Sequence, residues 1–116
     1  MDLRVKHVYD QATDDDGFRV LVDRLWPRGL TKERAALGLW AKDVAPSPEL
    51  RRAVHHDGLP WPDFADRYRA ELAADGGVAR LRDAIAGHPV VTLLAASRDE
   101  EHNGAVVLRQ LLESKP

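Results

Sequence analysis

The feature that most constrains the fold is a short run near the carboxyl terminus, Val90–Leu94, in which the side chains are apolar almost without interruption. A strand that alternates apolar and polar residues buries only one face, whereas a continuous apolar strand is buried on both. Strands of this kind lie in the middle of parallel sheets that helices cover on both sides. The run therefore predicts a central strand in an α/β protein.

Two further strands are predicted near the amino terminus. Leu3–Tyr9 alternates between apolar and polar residues, which indicates a half-buried strand at the edge of a sheet. A second alternating segment spans Phe18–Asp23. The loop between them, Gln11–Gly17, contains three aspartates and a glycine, so we expect a solvated turn there. A loop this short predicts that the two strands form an antiparallel hairpin.

Helices are predicted for the remaining segments. The expected boundaries are Lys32 to Leu37, Pro48 to about His55, Pro62 to the Asp75-Gly76-Gly77 stop, Val78 to Gly87, and Arg98 to Glu113. In the third of these helices Phe64, Tyr68 and Leu72 share one face and should be buried. Ser97 and Glu100 have the spacing of a capping box, which would start the last helix.

These elements predict a three-layer α/β fold. The small central sheet would consist of the N-terminal hairpin plus a parallel buried strand, with helices on its faces. Several helices separate the second strand from the buried one, which favours parallel pairing between those two. The 116 residues suffice for one domain, 1–116, and show no internal linker.

Composition excludes several classes of function. The chain has no cysteine, which rules out disulfides, thiolate metal sites and cysteine nucleophiles. Its net charge of −2 disfavours a nucleic-acid binder unless a local basic patch exists. No apolar run reaches the length of a membrane helix, and the first ten residues lack a signal-peptide core. We therefore expect a cytoplasmic protein.

Charged side chains follow two of the predicted strands. Asp23 and Arg24 end the second strand, with Arg28 four residues further on, and Arg98 and Asp99 follow the buried strand. Ligands of α/β sheets collect at the carboxyl ends of parallel strands, so these groups are expected on one rim. Guanidinium groups beside a helix start can bind an anion such as phosphate, and carboxylates can transfer protons.

The candidate site consists of nine residues with two kinds of role. We assign acid–base roles to Asp23, Asp99 and His102, and ligand-binding roles to Arg24, Trp26, Arg28, Ser97, Arg98 and Asn103. His102 and Asn103 would lie in the first turns of the last helix, where the helix dipole favours neutral imidazole. A purely structural interpretation is that the charged residues form ion pairs at the strand ends and that Ser97 and Asp99 only cap the helix.

Neither a metal nor a cofactor is predicted. His55 and His56 are adjacent, and adjacent helical residues diverge by about 100°, so they make a poor chelate with Asp57. The glycine-rich phosphate-binding motifs and the serine nucleophile motif are absent from the sequence.

Two long motifs carry a family resemblance. Val20–Gly29 (VLVDRLWPRG) and Arg98–Asn103 (RDEEHN) resemble the signatures of the small, YeaO-like bacterial proteins that carry domain of unknown function 488. The resemblance covers nearly the whole chain, but it implies no established activity. The chain departs from the usual family pattern at Ala95, where an aromatic residue is common, and at Gly104, where a polar residue is common.

The resulting functional hypothesis is a small protein with a pocket for a phosphate- or nucleotide-like anion at the carboxyl ends of the strands. It would be an enzyme if the aspartates and His102 perform acid–base chemistry. The alternative is a non-catalytic binding or protein-interaction module, either monomeric or homodimeric. A carboxylate with a shifted pKa in a closed cleft would favour the enzyme.

Overall fold

The structure is a computed structural model that describes residues 1–114. Its four strands are β1 (Asp2–His7), β2 (Phe18–Leu21), β3 (Leu39–Trp40) and β4 (Val90–Ala95). Its five α-helices are α1 (Lys32–Ala35), α2 (Pro48–Asp57), α3 (Trp61–Asp75), α4 (Gly77–Ile85) and α5 (Gly104–Glu113). None of the helices within residues 1–114 has the length and apolar character needed to cross a membrane.

The four strands form one parallel sheet in the order β1-β4-β2-β3. The apolar strand β4 pairs with β1 on one side, where Leu3 lies opposite Val91, and with β2 on the other, where Val20 lies opposite Leu93. The α/β class is therefore confirmed, as are the central position of β4, the edge position of β1 and the parallel pairing of β2 with β4.

The predicted N-terminal hairpin is wrong. Strands β1 and β2 are parallel, and β4 lies between them. Residues 8–17 return the chain to the starting end of the sheet, so that β2 runs in the same direction as β1. Val8 is buried against Leu21 and Leu94. Alternation of apolar and polar residues identifies a strand but not its partner. Strands β1 and β2 each pair with one edge of β4 and not with each other.

Helices cover the two faces of the sheet unequally. The larger core lies under α2 to α5, where Phe64, Tyr68 and Leu72 are buried as the sequence predicts. The smaller core contains Leu21, Leu94 and Ala35 of α1, with Trp26 and Trp40 packed against it. This division gives the three layers of the fold. The short strand β3 has no counterpart in the sequence prediction, because two residues are too few to show alternation.

The last helix begins later than the sequence predicts. Asn103 is its N-cap and accepts the N–H of Val106 at 3.1 Å, so α5 starts at Gly104 rather than at Arg98. Ser97 does not cap a helix, and its Oγ accepts the N–H of Asp99 at 3.2 Å. Local bonds between side chains and the backbone compete with helix formation, and in this segment they hold residues 97–103 as a loop.

The acidic turn is only partly solvated. Asp14 is exposed, but Asp16 is buried and pairs with the buried Arg19 at 2.6 Å and with Lys6 at 2.9 Å. Burial acts to raise the pKa of Asp16, but hydrogen bonds from Lys6, the Thr13 backbone and Arg19 outweigh it, so the pKa falls to about 2. The sequence does not predict this ion-pair cluster, because an arginine within an alternating strand normally faces solvent.

Candidate functional site

A cleft of about 700 Å³ opens at the carboxyl ends of β2 and β4. Its walls are the loop after β2, the loop after β4, and the side formed by α2 with the start of α3. All nine residues of the predicted site line this cleft: Asp23, Arg24, Trp26, Arg28, Ser97, Arg98, Asp99, His102 and Asn103. The structure therefore brings the predicted rim residues together, because their two loops leave adjacent parallel strands on the same side.

The carboxylate of Asp23 connects the two strands at the base of the cleft. Its Oδ2 accepts the N–H of Ala96 at 2.7 Å, and its backbone carbonyl accepts the indole N–H of Trp40 at 2.8 Å. Burial raises the pKa of Asp23, while the N–H of Ala96 and the charge of Arg51 oppose the increase. Asp23 is thus a half-buried carboxylate held in a fixed position.

Three hydrogen bonds shape the loop after β2. The indole N–H of Trp26 donates to the Leu30 carbonyl at 2.6 Å, and the N–H of Leu30 donates to the Pro27 carbonyl at 3.3 Å. The hydroxyl of Tyr9 donates to the Arg28 carbonyl at 2.8 Å. The backbone of Arg28 is therefore tied in place while its side chain is exposed at the cleft.

Asp99 organises the loop after β4. Its Oδ1 accepts the N–H groups of Glu101 and His102 at 3.1 and 3.0 Å, and its Oδ2 lies 3.2 Å from Nδ1 of His102. The N–H of Glu101, followed by the N–H and ring of His102, lowers the pKa of Asp99. His102 therefore lies in a loop beside a carboxylate, and the predicted placement in the first turn of a helix is wrong.

The aromatic residue Trp61 also lines the cleft. Its ring stacks on His102 with the ring centroids 4.8 Å apart and the planes at 28°. Phe64 lies behind it, with the centroids 5.6 Å apart. The first turn of α3 therefore supplies an aromatic surface that faces the loop after β4.

Four arginines line the cleft without a carboxylate partner. Among residues 1–114, none of Arg24, Arg28, Arg51 and Arg98 forms an ion pair within 4 Å. Arg24 donates only to the carbonyls of Pro46 and Ala45, at 3.4 and 3.5 Å, which is at the long limit of a hydrogen bond. The interpretation of Arg24 and Arg98 as ion-pair partners of Asp23 and Asp99 is therefore wrong.

The local charge is opposite to that of the whole chain. The cleft contains four arginines and two aspartates, whereas the net charge of the protein is −2. One of those aspartates, Asp99, uses both of its carboxylate oxygens within its own loop. Arginines thus outnumber carboxylates where the two loops and α2 meet.

Tyr9, Arg51 and Trp61 line the cleft but are not among the site residues predicted from the sequence. Arg51 and Trp61 belong to α2 and α3, and no local pattern shows which helix will pack beside the rim. Alternation places Tyr9 in a strand, but β1 ends at His7, which frees the Tyr9 hydroxyl to reach Arg28. The sequence contains no signal that marks Tyr9 as a cleft residue, because its exposure and its place after the end of β1 are seen only in the structure.

The two positions that depart from the family pattern, Ala95 and Gly104, both line the cleft. A Cβ atom on Gly104 would lie 3.4 Å from Cε2 of Tyr68, an ordinary contact distance, so packing does not require glycine there. Ala95 is itself buried in the larger core. No three His, Asp or Glu side chains within residues 1–114 cluster as metal ligands.

Comparisons with known proteins give consistent matches. A family model described as the inactive DUF488-N3 subclade matches residues 2–115. The chain is 41% identical over 114 residues to the uncharacterized protein YeaO of Escherichia coli, covering 98% of this chain and 99% of YeaO. It is 45% identical over 113 residues to uncharacterized proteins of Mycobacterium tuberculosis and Mycobacterium bovis, covering 97% of this chain and 95% of each relative. No solved structure matches the chain significantly.

Proposed function

The chain belongs to the inactive DUF488-N3 subclade, and from this premise we propose that it is a binding module that holds a small phosphate-bearing anion in the cleft without converting it. The resemblance to the domain of unknown function 488 family is thereby confirmed. The description of the subclade as inactive supports binding over catalysis.

The observation that carries the proposal is the set of unpaired arginines. A guanidinium group that forms no ion pair retains its full capacity for forked hydrogen bonds to phosphate oxygens. Arg28 and Arg98 are exposed, and both line the cleft from the loops that follow the neighbouring strands β2 and β4. Because the hydrogen bond from Tyr9 fixes the Arg28 backbone, less conformational freedom is lost when an anion binds.

The three residues with predicted acid–base roles have structural contacts that favour positioning roles. Asp23 accepts the N–H of Ala96, and Asp99 uses both oxygens within its own loop. A general base needs a lone pair directed at the substrate, which Asp99 lacks and which Asp23 retains only on Oδ1 among the described contacts. We therefore propose that Asp23 holds the ends of β2 and β4 together. Asp99 and His102 maintain the shape of the loop after β4.

Calorimetric titration of the protein with inorganic phosphate and pyrophosphate tests the proposal. We expect saturable binding that weakens as salt is added, because salt screens charged groups at the surface. The double variant Arg28→Ala with Arg98→Ala should lose binding and remain folded, since both side chains are exposed and neither forms an ion pair within residues 1–114. Arg52→Ala with Arg67→Ala removes the same charge from exposed positions outside the cleft and should bind normally.

Each other outcome would overturn part of this proposal. Equal loss of affinity in both double variants would mean that net charge, not the cleft, attracts the anion. Absence of binding by the wild-type protein at millimolar phosphate would exclude the anion and favour a protein-interaction module. Turnover of a phosphate ester by the wild type that is lost in Asp23→Asn would favour an enzyme.

A further inference from the structure

The cleft has an aromatic side that a simple anion would not use. Trp61 is half-buried and stacks on His102, and Val54 and Leu59 line the same side. These groups offer apolar area and ring faces, but no charge that attracts phosphate. A ligand that fills the cleft must therefore bring an apolar or planar part as well as an anionic one.

The size of the cleft agrees with a ligand larger than phosphate. Its volume of about 700 Å³ lies within the range of roughly 300–1,000 Å³ that is typical of sites for organic ligands and cofactors. A single phosphate group at Arg28 and Arg98 would leave most of this volume filled with water. Gly104 lines the cleft without a side chain and so occupies little of this space.

His102 connects the cationic and aromatic sides. It lies on the same loop as Arg98, and one face of its ring is covered by Trp61. Its side chain is 47% exposed, which leaves ring surface available to a further planar group. Asp99 holds the ring from Nδ1 at 3.2 Å, so the imidazole is positioned before any ligand arrives.

We propose that the ligand is a nucleoside phosphate whose base stacks against the His102–Trp61 pair while its phosphate is held by Arg28 and Arg98. This inference rests on the proposed function, since it assigns the phosphate to the same arginines. Bases stack on aromatic side chains with little dependence on sequence, because every base presents a π-face. The geometry favours one nucleotide and not a polynucleotide, since a cleft of about 700 Å³ has the size of a site for one small organic ligand and the chain has a net charge of −2.

Calorimetric titration with three probes tests the two parts of the ligand separately. The probes are adenosine monophosphate, ribose 5-phosphate, which lacks the base, and adenosine, which lacks the phosphate. We expect adenosine monophosphate to bind roughly tenfold more tightly than ribose 5-phosphate, because stacking of one base contributes about this much affinity. Adenosine should bind more weakly than adenosine monophosphate, because it cannot use the arginines.

Two variants test whether the His102–Trp61 pair causes the preference for adenosine monophosphate over ribose 5-phosphate. His102→Ala should reduce the affinity ratio of adenosine monophosphate to ribose 5-phosphate to near one while ribose 5-phosphate still binds. His56→Ala, at an exposed position outside the cleft, is the matched control and should keep the wild-type ratio. Trp61→Leu should also lower the ratio, but Trp61 packs against the core, so its folding must be verified by circular dichroism.

The possible negative results distinguish failure of the base-stacking inference from failure of the phosphate proposal. Equal binding of adenosine monophosphate and ribose 5-phosphate by the wild type would overturn the base-stacking inference and leave the phosphate proposal intact. Binding of none of the three probes would overturn both. Adenosine binding as tightly as adenosine monophosphate would overturn the phosphate proposal. A wild-type ratio that persists in both His102→Ala and folded Trp61→Leu would exclude the aromatic pair as the base site.

Discussion

The carboxylate of Asp23 accepts the backbone N–H of Ala96 at 2.7 Å, and this bond links the segment after β2 to the residue that follows β4. Each residue lies just beyond the end of its strand, where ladder hydrogen bonds stop. The side chain therefore continues the sheet by one hydrogen bond and links the starts of the two loops that carry Arg28 and Arg98. A residue predicted to transfer protons instead connects the ends of two strands at the base of the cleft.

Asp23→Ala should lower the free energy of unfolding by about 1–2 kcal/mol, because the Ala96 N–H loses its acceptor. Asp23→Asn keeps an acceptor oxygen and should cost less. Because burial raises the pKa of Asp23, folding disfavours its ionised form relative to the unfolded chain. Wild type should therefore gain stability relative to Asp23→Asn as the pH falls through that raised pKa. Urea unfolding at several pH values measures the difference, and a constant or opposite trend would contradict burial as the dominant influence on this carboxyl group.

Asp16→Ala should destabilise the protein by about 3–5 kcal/mol, because it leaves the buried guanidinium of Arg19 without its counter-charge. The pKa of Asp16 is lowered to about 2 from 3.8, so its contribution is fully present above pH 3.8 and is lost as the pH falls through about 2. Acid unfolding followed by circular dichroism measures this loss. The exposed Asp14→Ala is the control and should lie within about 0.5 kcal/mol of wild type; a similar cost at both positions would contradict a specific role for the ion pair.

Phe64→Ala should cost about 3–5 kcal/mol and Leu72→Ala about 2–5 kcal/mol, because each removes a buried side chain from the face of α3 that packs on the sheet. Chemical denaturation gives both values. A loss below about 1 kcal/mol at either position would show that the site collapses around the deletion or that α3 packs differently. Arg67→Ala, on the exposed side of α3, provides the baseline.

Asn103→Ala should cost about 0.5–2 kcal/mol, because Asn103 caps α5 through the N–H of Val106. Ser97→Ala should change stability by no more than about 0.5 kcal/mol, since Ser97 lies six residues before the cap in an exposed loop. Thermal unfolding of the two variants distinguishes the observed helix start from the predicted one. If Ser97→Ala were the more damaging change, the helix would begin near Arg98 after all.

The local sequence pattern predicts which segments form strands, but it does not predict which strands pair with each other. The burial of β4 on both faces can be predicted from Val90–Leu94 itself. Successive side chains of a strand point to opposite faces, and nearly all side chains in this run are apolar. The partner of β1 is not visible in its own residues, since Leu3 pairs with Val91 at the far end of the chain. The hairpin prediction fails for this reason, although the parallel pairing of β2 with β4 is predicted correctly.

The start of α5 shows a second limit. Ser97, Asp99 and Asn103 are all residue types that cap helices, so the sequence contains several competing start signals. Asp99 uses its carboxylate within the loop, and only Asn103 reaches the first turn. The sequence alone does not show which of the three accepts a backbone N–H of the first helical turn. The rim residues can be predicted because they follow strands, whereas Arg51 and Trp61 depend on where helices pack.

The strand order also affects how this chain folds as it is synthesised. Both amino-terminal strands β1 and β2 pair with β4, so neither can complete its ladder until residues 90–95 have left the ribosome. At typical rates of synthesis, β1 stays without its partner for on the order of 10 s. A free strand edge invites pairing with other chains, and charged side chains oppose it. Asp2, Arg4 and Lys6, which contribute little to the finished core, would therefore keep the nascent strand from associating with its neighbours.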